Sequence, residues 1–363
     1  MRKARACGWT RSPDSVRLKG CREFYALSWN NQHMNKINGI HNLTTLVALT
    51  VCCGFTGCGG GTTQAPRDLP TAGTPPMAAG RGFPAAAPWT SCYGPAAGMG
   101  GLDKAAVTFR ILNIDADPNI GNFTPAQIDQ LKAGGKNRVI SYLNVGAMES
   151  FRTYWGAAPA GFLSGRDNAA ARLGPYSGYP DETWMDLSNP DYQHLIVDYV
   201  APRLAAQGVD GFFLDNVELV EHGPTDSNGP CSPACRQGGL DLVRRLREKY
   251  PNLLIVMQNA TGDVTRLGTT GGVAFPSLLD GVSHEEVYTP ARDAAAEAEL
   301  QAWRDMHLTP GGQPFWIGTE DYVGSCANTQ GAQAAYTSSR AQDFSPYAAD
   351  QSAGQQSVCY WPF

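Results

Sequence analysis

Residues Gly208-Val-Asp-Gly-Phe-Phe-Leu-Asp-Asn-Val-Glu218 constrain the fold more than any other stretch of this chain, because an apolar run ends directly in carboxylates. Val209, Phe212, Phe213 and Leu214 lack the polar alternation of a sheet with one wet face. They fit a strand covered on both faces by the crossover helices of a parallel sheet. Asp215, Asn216 and Glu218 stand where that strand ends. In an α/β barrel the carboxyl ends of the strands form the mouth, where residues that do chemistry collect, so acids placed there are candidate catalytic groups.

The rest of the chain reads as repeated βα units. Val107 to Ile114 is expected to form a strand ending at Asp115, and Arg138 to Val145 another that opens onto Gly146-Ala-Met-Glu149. Asn189 and Pro190 supply an N-cap and a first-turn proline for a helix whose buried stripe is Tyr192, Leu195, Ile196, Tyr199 and Val200, with a kink at Pro202. Further strands are expected at Leu253 to Gln258, ending near Asn259, at Leu279 to Val287, at Pro314 to Gly318 ahead of Glu320-Asp321-Tyr322, and at Ser357 to Trp361. Helices are expected over Leu240 to Tyr250 and, behind a Thr289-Pro290 cap, to about Met306. With a first strand near Trp89 to Tyr93, eight units fit an α/β fold of the (β/α)8 TIM-barrel type, which takes about 250 residues. An open doubly wound sheet is the alternative. It wants a glycine-rich phosphate turn after the first strand, and Gly98-Met-Gly-Gly101 is only loosely placed for one.

The segment ahead of that domain reads as an address. Met34-Asn-Lys36 is a short basic start, and Leu43 to Val51 is an apolar run shorter than the about 20 residues a bilayer span needs. Phe55-Thr-Gly-Cys58 resembles a bacterial lipoprotein cleavage site with Phe55 in place of the usual small aliphatic residue. The expected organisation is an upstream extension over 1–33, a lipoprotein-type signal peptide over 34–58 with translation starting at Met34, a flexible linker over 59–87 and a catalytic domain over 88–363. Cys58 is the expected lipidation site. The location expected is extracytoplasmic, anchored to a membrane through that lipid, with a secreted form as the alternative.

Hydrophobic residues at 42% and charged residues at 17% describe an ordinary globular core, and no long basic tract points to nucleic acid. Losing residues 1–58 removes eight of the 28 Lys and Arg and two of the 33 acids, leaving a net charge near −11 against −5 for the whole chain. That surplus favours a cationic partner through long-range attraction, or serves solubility alone. Five cysteines lie beyond the expected cut, Cys92, Cys231, Cys235, Cys326 and Cys359, in an oxidising compartment where one or two disulfides are expected. Cys231 and Cys235 share one loop and can close a small ring, while Cys326 and Cys359 flank the last two expected strands. A zinc site from His222, Cys231 and Cys235 would have a spacing that matches no standard ligand pattern.

The acids at expected strand ends are Asp115, Glu149, Asp215, Glu218, Glu285, Glu286, Glu320 and Asp321, with no serine or cysteine nucleophile motif and matched histidine among them. Two carboxyl groups whose surroundings separate their pKa values are what glycosidic cleavage requires. Tyr142, Tyr154, Trp155, Trp184, Tyr288, Trp316 and Tyr322 are near enough in sequence to line a sugar groove. Two other classes fit the same residues: a tethered carbohydrate-binding protein that has kept the barrel and lost turnover, and a structural cation site at Asp215, Glu218 and Glu221.

Four stretches taken together, Gly135 to Arg152 (GKNRVISYLNVGAMESFR), Trp184 to Pro190 (WMDLSNP), Gly211 to Val217 (GFFLDNV) and Asp280 to Glu285 (DGVSHE), resemble glycoside hydrolase family 114. The resemblance runs from about residue 88 to the C-terminus. It implies a secreted endo-α-1,4-polygalactosaminidase on a (β/α)8 barrel, with Asp215 as the catalytic aspartate of the fourth strand and Glu285 as its partner at the end of the sixth. It also implies pocket roles for Asp115, Tyr142, Glu149, Asn259, Asp321 and Tyr322. Asn216, Glu218, Trp184 and Glu286 join them as expected substrate-binding residues. Ala147 departs from the family, where many members carry an acid, and Glu286 beside Glu285 leaves either glutamate open as the partner of Asp215. The implied substrate is a partly deacetylated, cationic galactosaminan, cleaved by a monomer without metal or organic cofactor.

Overall fold

Eight parallel strands follow one another in chain order around a single sheet: β1 (Trp89–Cys92), β2 (Ile111–Ile114), β3 (Arg138–Asn144), β4 (Gly211–Asp215), β5 (Leu254–Gln258), β6 (Gly281–Glu285), β7 (Trp316–Tyr322) and β8 (Ser345–Ala349). The computed structural model describes residues 82–83, 87–306, 315–351 and 355–363. The signal peptide, Cys58 and nearly all of the linker lie outside them. Each strand ladders to the next, and β8 returns beside β1, so the architecture is a nearly closed (β/α)8 barrel. No backbone ladder joins β8 to β1 among the described residues; instead the Trp89 indole Nε1–H donates to the Ser345 carbonyl at 2.8 Å across the gap.

The helices between strands carry the caps that the sequence calls for. Asn189 accepts from the Tyr192 amide at 3.0 Å and Pro190 opens the helix. The kink at Pro202 takes the form of a π-helical stretch, Leu195–Val200, in which the Ala201 amide reaches back to the Ile196 carbonyl. A wide turn here suits a proline that cannot donate to the carbonyl four residues before it. The 17-residue helix Pro233–Lys249 is longer than expected because Ser232 caps it eight residues upstream of Leu240, accepting from Cys235 N at 3.1 Å.

Three expectations are corrected. Val107 lies in the helix Leu102–Thr108, 72% exposed, and β2 starts only at Ile111. Thr289-Pro290 is a cis turn, and the following helix, Ala294–Asp305, is capped by Asp293, whose side chain accepts from Ala295 N and Ala296 N. Residues 357–361 are not a strand; the eighth strand is Ser345–Ala349. Its Pro346, with no N–H to donate, is tolerated in a strand that ladders on one side only.

Inside the barrel, the first or middle residues of four strands, Trp89, Phe213, Trp316 and Tyr347, pack together, with Phe83, placed by sequence in the linker, buried against Trp316 at 5.3 Å. Trp89 touches the other three rings at centroid distances of 5.1 to 6.2 Å. Burying such a ring is worth roughly 2–3 kcal/mol, so this layer is a floor that stabilises the fold. Because neighbouring parallel strands in register point alternate residues inward, the same strands present polar side chains one and two layers higher.

Between β3 and β4 the chain adds an antiparallel sheet of Ala147–Glu149, Arg172–Tyr176 and Tyr179–Met185, the last of these in the middle. Its tip is a two-residue turn, Ser177-Gly178, with Gly178 at φ 95° and Tyr176 paired to Tyr179. Disulfides join Cys231 to Cys235 and Cys326 to Cys359, and Cys92 is free and buried. With Cys231 and Cys235 bonded to each other, the zinc reading loses its thiolates. No helix among the described residues is long and apolar enough to cross a membrane.

Candidate active site

The inward register brings Asp215, at the carboxyl end of β4, beside Asn144 of β3, and sets Glu285 of β6 opposite Glu320 of β7. The turns that follow are tight. Asn216, Asn259 and Glu286, each one residue beyond a strand end, have φ of 58°, 61° and 54°. Asparagine enters this left-handed region readily and glutamate rarely, so three such residues at successive strand ends mark a mouth whose shape is held against local preference. Gly146 is fixed by the same crowding, since a Cβ there would lie 1.7 Å from the Asn216 carbonyl oxygen.

Asp215 accepts hydrogen bonds from the Tyr142 hydroxyl and the Asn216 amide, yet burial and the neighbouring Glu285 push its carboxyl up to about 7. Glu285 accepts from Asn259 Nδ2 at 2.8 Å and from the Tyr322 hydroxyl, and its own amide donates to Asn259 Oδ1 at 3.0 Å. Burial and the charge of Asp215 hold Glu218 well above the usual carboxylate range, and its Oε2 has no partner among the described residues. Glu320, fully buried, accepts from Ser91 Oγ at 3.1 Å and Gln355 Nε2 at 3.3 Å, and burial together with Glu285 raises it to about 8.

The remaining expected site residues divide. Asp115 and Glu149 are tied to Arg152, at 3.0 and 3.2 Å, in a buried network that continues through Asp117 to Arg203. Burial raises the Asp115 carboxyl and the Arg152 guanidinium pulls it back. Asp321 faces away from the barrel interior and fixes the loop after β6, accepting from the amides of Tyr288 and Thr289 at 2.7 and 2.9 Å. Glu286, pushed up to about 7 by burial and then Glu285, donates its amide to the Glu320 carbonyl at 2.8 Å. Trp184 is 1% exposed and bonded to Asn228 at 2.8 Å, so it backs the ring of Tyr176, stacked on it at 4.0 Å, instead of offering a face of its own. Trp316 and Tyr154 are core. Glu221 is engaged by the Thr265 amide and hydroxyl, both at 3.2 Å, which removes the third ligand of the cation reading.

Four residues escape sequence reasoning. Glu182, on the middle strand of the added sheet, accepts from both Asn144 and Asn216 at 3.0 Å, and burial with the charge of Glu149 lifts it to about 8. Tyr176 and Tyr179 flank the turn above the mouth, close enough to feel Asp215, Glu182 and Glu218. Tyr93 packs on Tyr142 at 4.8 Å and accepts from Asn113 Nδ2 at 2.8 Å. The Tyr-Ser-Gly-Tyr hairpin signal could have found the two tyrosines of the tip; Glu182 and Tyr93 carry no local signal.

A family model for glycoside-hydrolase family GH114 matches residues 71–286, well over half of the chain. The chain belongs to family GH114. Like the family, this GH114 protein is a glycoside hydrolase. A relative from Deinococcus radiodurans, described only as an uncharacterised protein, is 26% identical over 192 residues, which span 51% of this chain and 56% of that one. Among solved structures, the glycoside hydrolase domain of PelA from Pseudomonas aeruginosa aligns with a TM-score of 0.54 at 17% identity, covering 74% of this chain and 95% of that domain. Ega3 of Aspergillus fumigatus, solved in complex with galactosamine, aligns at 0.52 and 17%, covering 77% and 95%. At such identities these two likenesses establish the barrel of this GH114 member and nothing finer.

Proposed function

We propose that this protein is an endo-acting hydrolase of α-1,4-linked, galactosamine-rich polysaccharide, with Asp215 as nucleophile and Glu285 as general acid and then base. The observation that carries the reading is the pairing of Asp215 and Glu285 on the inner face of the mouth, electrostatically coupled and held by different donors. Tyr142 and the Asn216 amide favour the ionised form of Asp215 that attack on the anomeric carbon needs, while burial and Glu285 oppose it. An ammonium-bearing sugar ring shifts that balance toward ionisation, because the mouth offers it several carboxyl groups without a bound guanidinium. Ega3, crystallised with galactosamine, lends the substrate class, and PelA the glycoside hydrolase activity. The added sheet, with Tyr176 and Tyr179 at its tip, supplies one wall of the groove. Asn216, Asn259, Glu218, Tyr142 and Tyr322 complete the first contacts with sugar.

In the same reading the domain follows a signal peptide ending at Cys58, whose lipidation holds it at a membrane outside the cytoplasm. Purified residues 59–363 and the Asp215→Asn form, incubated with acetylated and de-N-acetylated α-1,4-galactosaminan, test the activity through new reducing ends. Oligosaccharides from the native chain alone support it. Binding by both forms without cleavage would convert the protein into a sugar receptor.

A further inference from the structure

The described C-terminal residues run over the top of the open seam. The amides of Tyr93 and Gly94, just past β1, both donate to the Gln355 carbonyl, at 3.0 and 3.4 Å, and the Val358 amide donates to the Gly98 carbonyl at 3.0 Å. Cys359 donates its amide to the Tyr347 hydroxyl of β8 at 3.1 Å and is bonded through sulfur to Cys326, in the loop after β7. The segment therefore straps the loops beyond β1 and β7 to β8 itself. Its Gln355 is only 3% exposed and turns its amide nitrogen inward, donating to the Tyr322 hydroxyl at 3.0 Å and to Glu320 Oε1 at 3.3 Å.

Tyr322 in turn donates to Glu285 Oε1. Its phenol oxygen thus accepts from Gln355 and passes its own proton toward Glu285, and each bond in such a chain strengthens the next. The opposite oxygen of Glu285 is held by Asn259. One side of Glu285 is anchored within its own sheet neighbourhood, and the other is anchored only through this relay to the strap.

We propose that Gln355 is a positioning residue for Glu285, acting through the Tyr322 hydroxyl and held in place by the Cys326–Cys359 disulfide. The inference rests on the reading of Glu285 as the partner of Asp215. Tyr322 needs an N–H donor to fix its ring and orient its proton; a side chain of equal length without donors leaves the hydroxyl free to rotate toward Glu320 or solvent.

The test compares Gln355→Met, Tyr322→Phe, the double variant and Cys326→Ser/Cys359→Ser with the native protein on de-N-acetylated α-1,4-galactosaminan. Gln355→Met is expected to lower kcat about tenfold with KM changed less than about twofold, the effect of one lost hydrogen bond at the reacting group. Tyr322→Phe falls further, and the double variant matches Tyr322→Phe alone because both act along one path. Loss of the disulfide reproduces the Gln355→Met defect. Native kcat in Gln355→Met, or additive losses in the double variant, would overturn the proposal while leaving the hydrolase reading intact. If the native protein cleaves nothing, the hydrolase reading fails. The crystal structure of Gln355→Met then decides the positioning role: a Tyr322 hydroxyl that has left Glu285 supports it, and an unmoved one refutes it.

Discussion

Two sets of buried carboxylates share the mouth of this barrel and are kept in opposite ways. Asp115, Asp117 and Glu149 are paired with Arg152 and Arg203, at ion-pair distances of 2.9 to 3.5 Å. Asp215, Glu285, Glu320 and Glu182 are instead bonded to phenols, amides and a serine hydroxyl among the described residues. The first set repays its desolvation internally and works as structure. In the second, burial makes Asp215, Glu320 and Glu182 keep protons that an ordinary carboxyl would have released.

If the second set is chemical, Asp215→Asn lowers reducing-end release roughly 10³-fold or more while the melting temperature holds or rises, since an amide removes repulsion without removing shape. A variant that keeps its activity would dissolve the distinction. If the first set is structural, Arg152→Met strands Asp115 and Glu149 and lowers stability by about 3–5 kcal/mol in urea unfolding, as removal of one partner from a buried pair does. A loss below ~1 kcal/mol would place those acids with the others. The pH profile sharpens the contrast. Attack requires Asp215 to lose a proton it holds up to about 7, so kcat/KM for the free enzyme climbs as pH rises through that value, and Glu285→Gln moves the Asp215 titration, read by carboxyl NMR, to lower pH.

The smallest effect is on stability. Burial holds Glu320 and Glu182 up to about 8, above the usual value of about 4.3, so between those values the folded chain binds protons that the unfolded chain has released. That stabilisation is complete below the ordinary range and drains away as pH rises through about 8. Melting temperature should therefore decline between pH 5 and 8.5, and Glu320→Gln should reduce the decline by roughly 3 °C. An unchanged slope would mean that Glu320 is not part of the protonated set.

Much of this was readable in the chain. The unbroken apolar run before Asp215 locates β4 and its acid, and Asn189-Pro190 and the βα alternation locate a helix start and the barrel, because each is a local pattern with one cheap structural solution. The eighth strand was hidden by Pro346 and by a composition of serine, proline and alanine that reads as loop. Its strand state is imposed by β7 on one side and the Trp89 indole on the other. Inside the site, the acids at strand ends were all visible as acids. Which of them are spent on Arg152, or on the loop amides that Asp321 holds, depends on partners up to 37 residues away in sequence. Gln355 lies 70 residues beyond Glu285 in a stretch with no periodicity at all, and only the strap makes it a neighbour.

The missing ladder at the seam also shapes how the molecule moves. Seven strand pairs are held by repeated amide bonds, while among the described residues β8 meets β1 through the Trp89 indole N–H, side-chain contacts of Tyr347 with Trp89 and Thr90, and a crossing segment. Local opening follows the thinnest set of contacts, so breathing is expected to concentrate between β8 and β1, on the microsecond to second scale of such events. Hydrogen exchange would register it as β8 amides that trade with solvent well before those of β4, which is laddered on both sides. The segment that spans the gap is the one that carries Gln355, so every excursion of the seam withdraws support from Tyr322 for as long as it lasts.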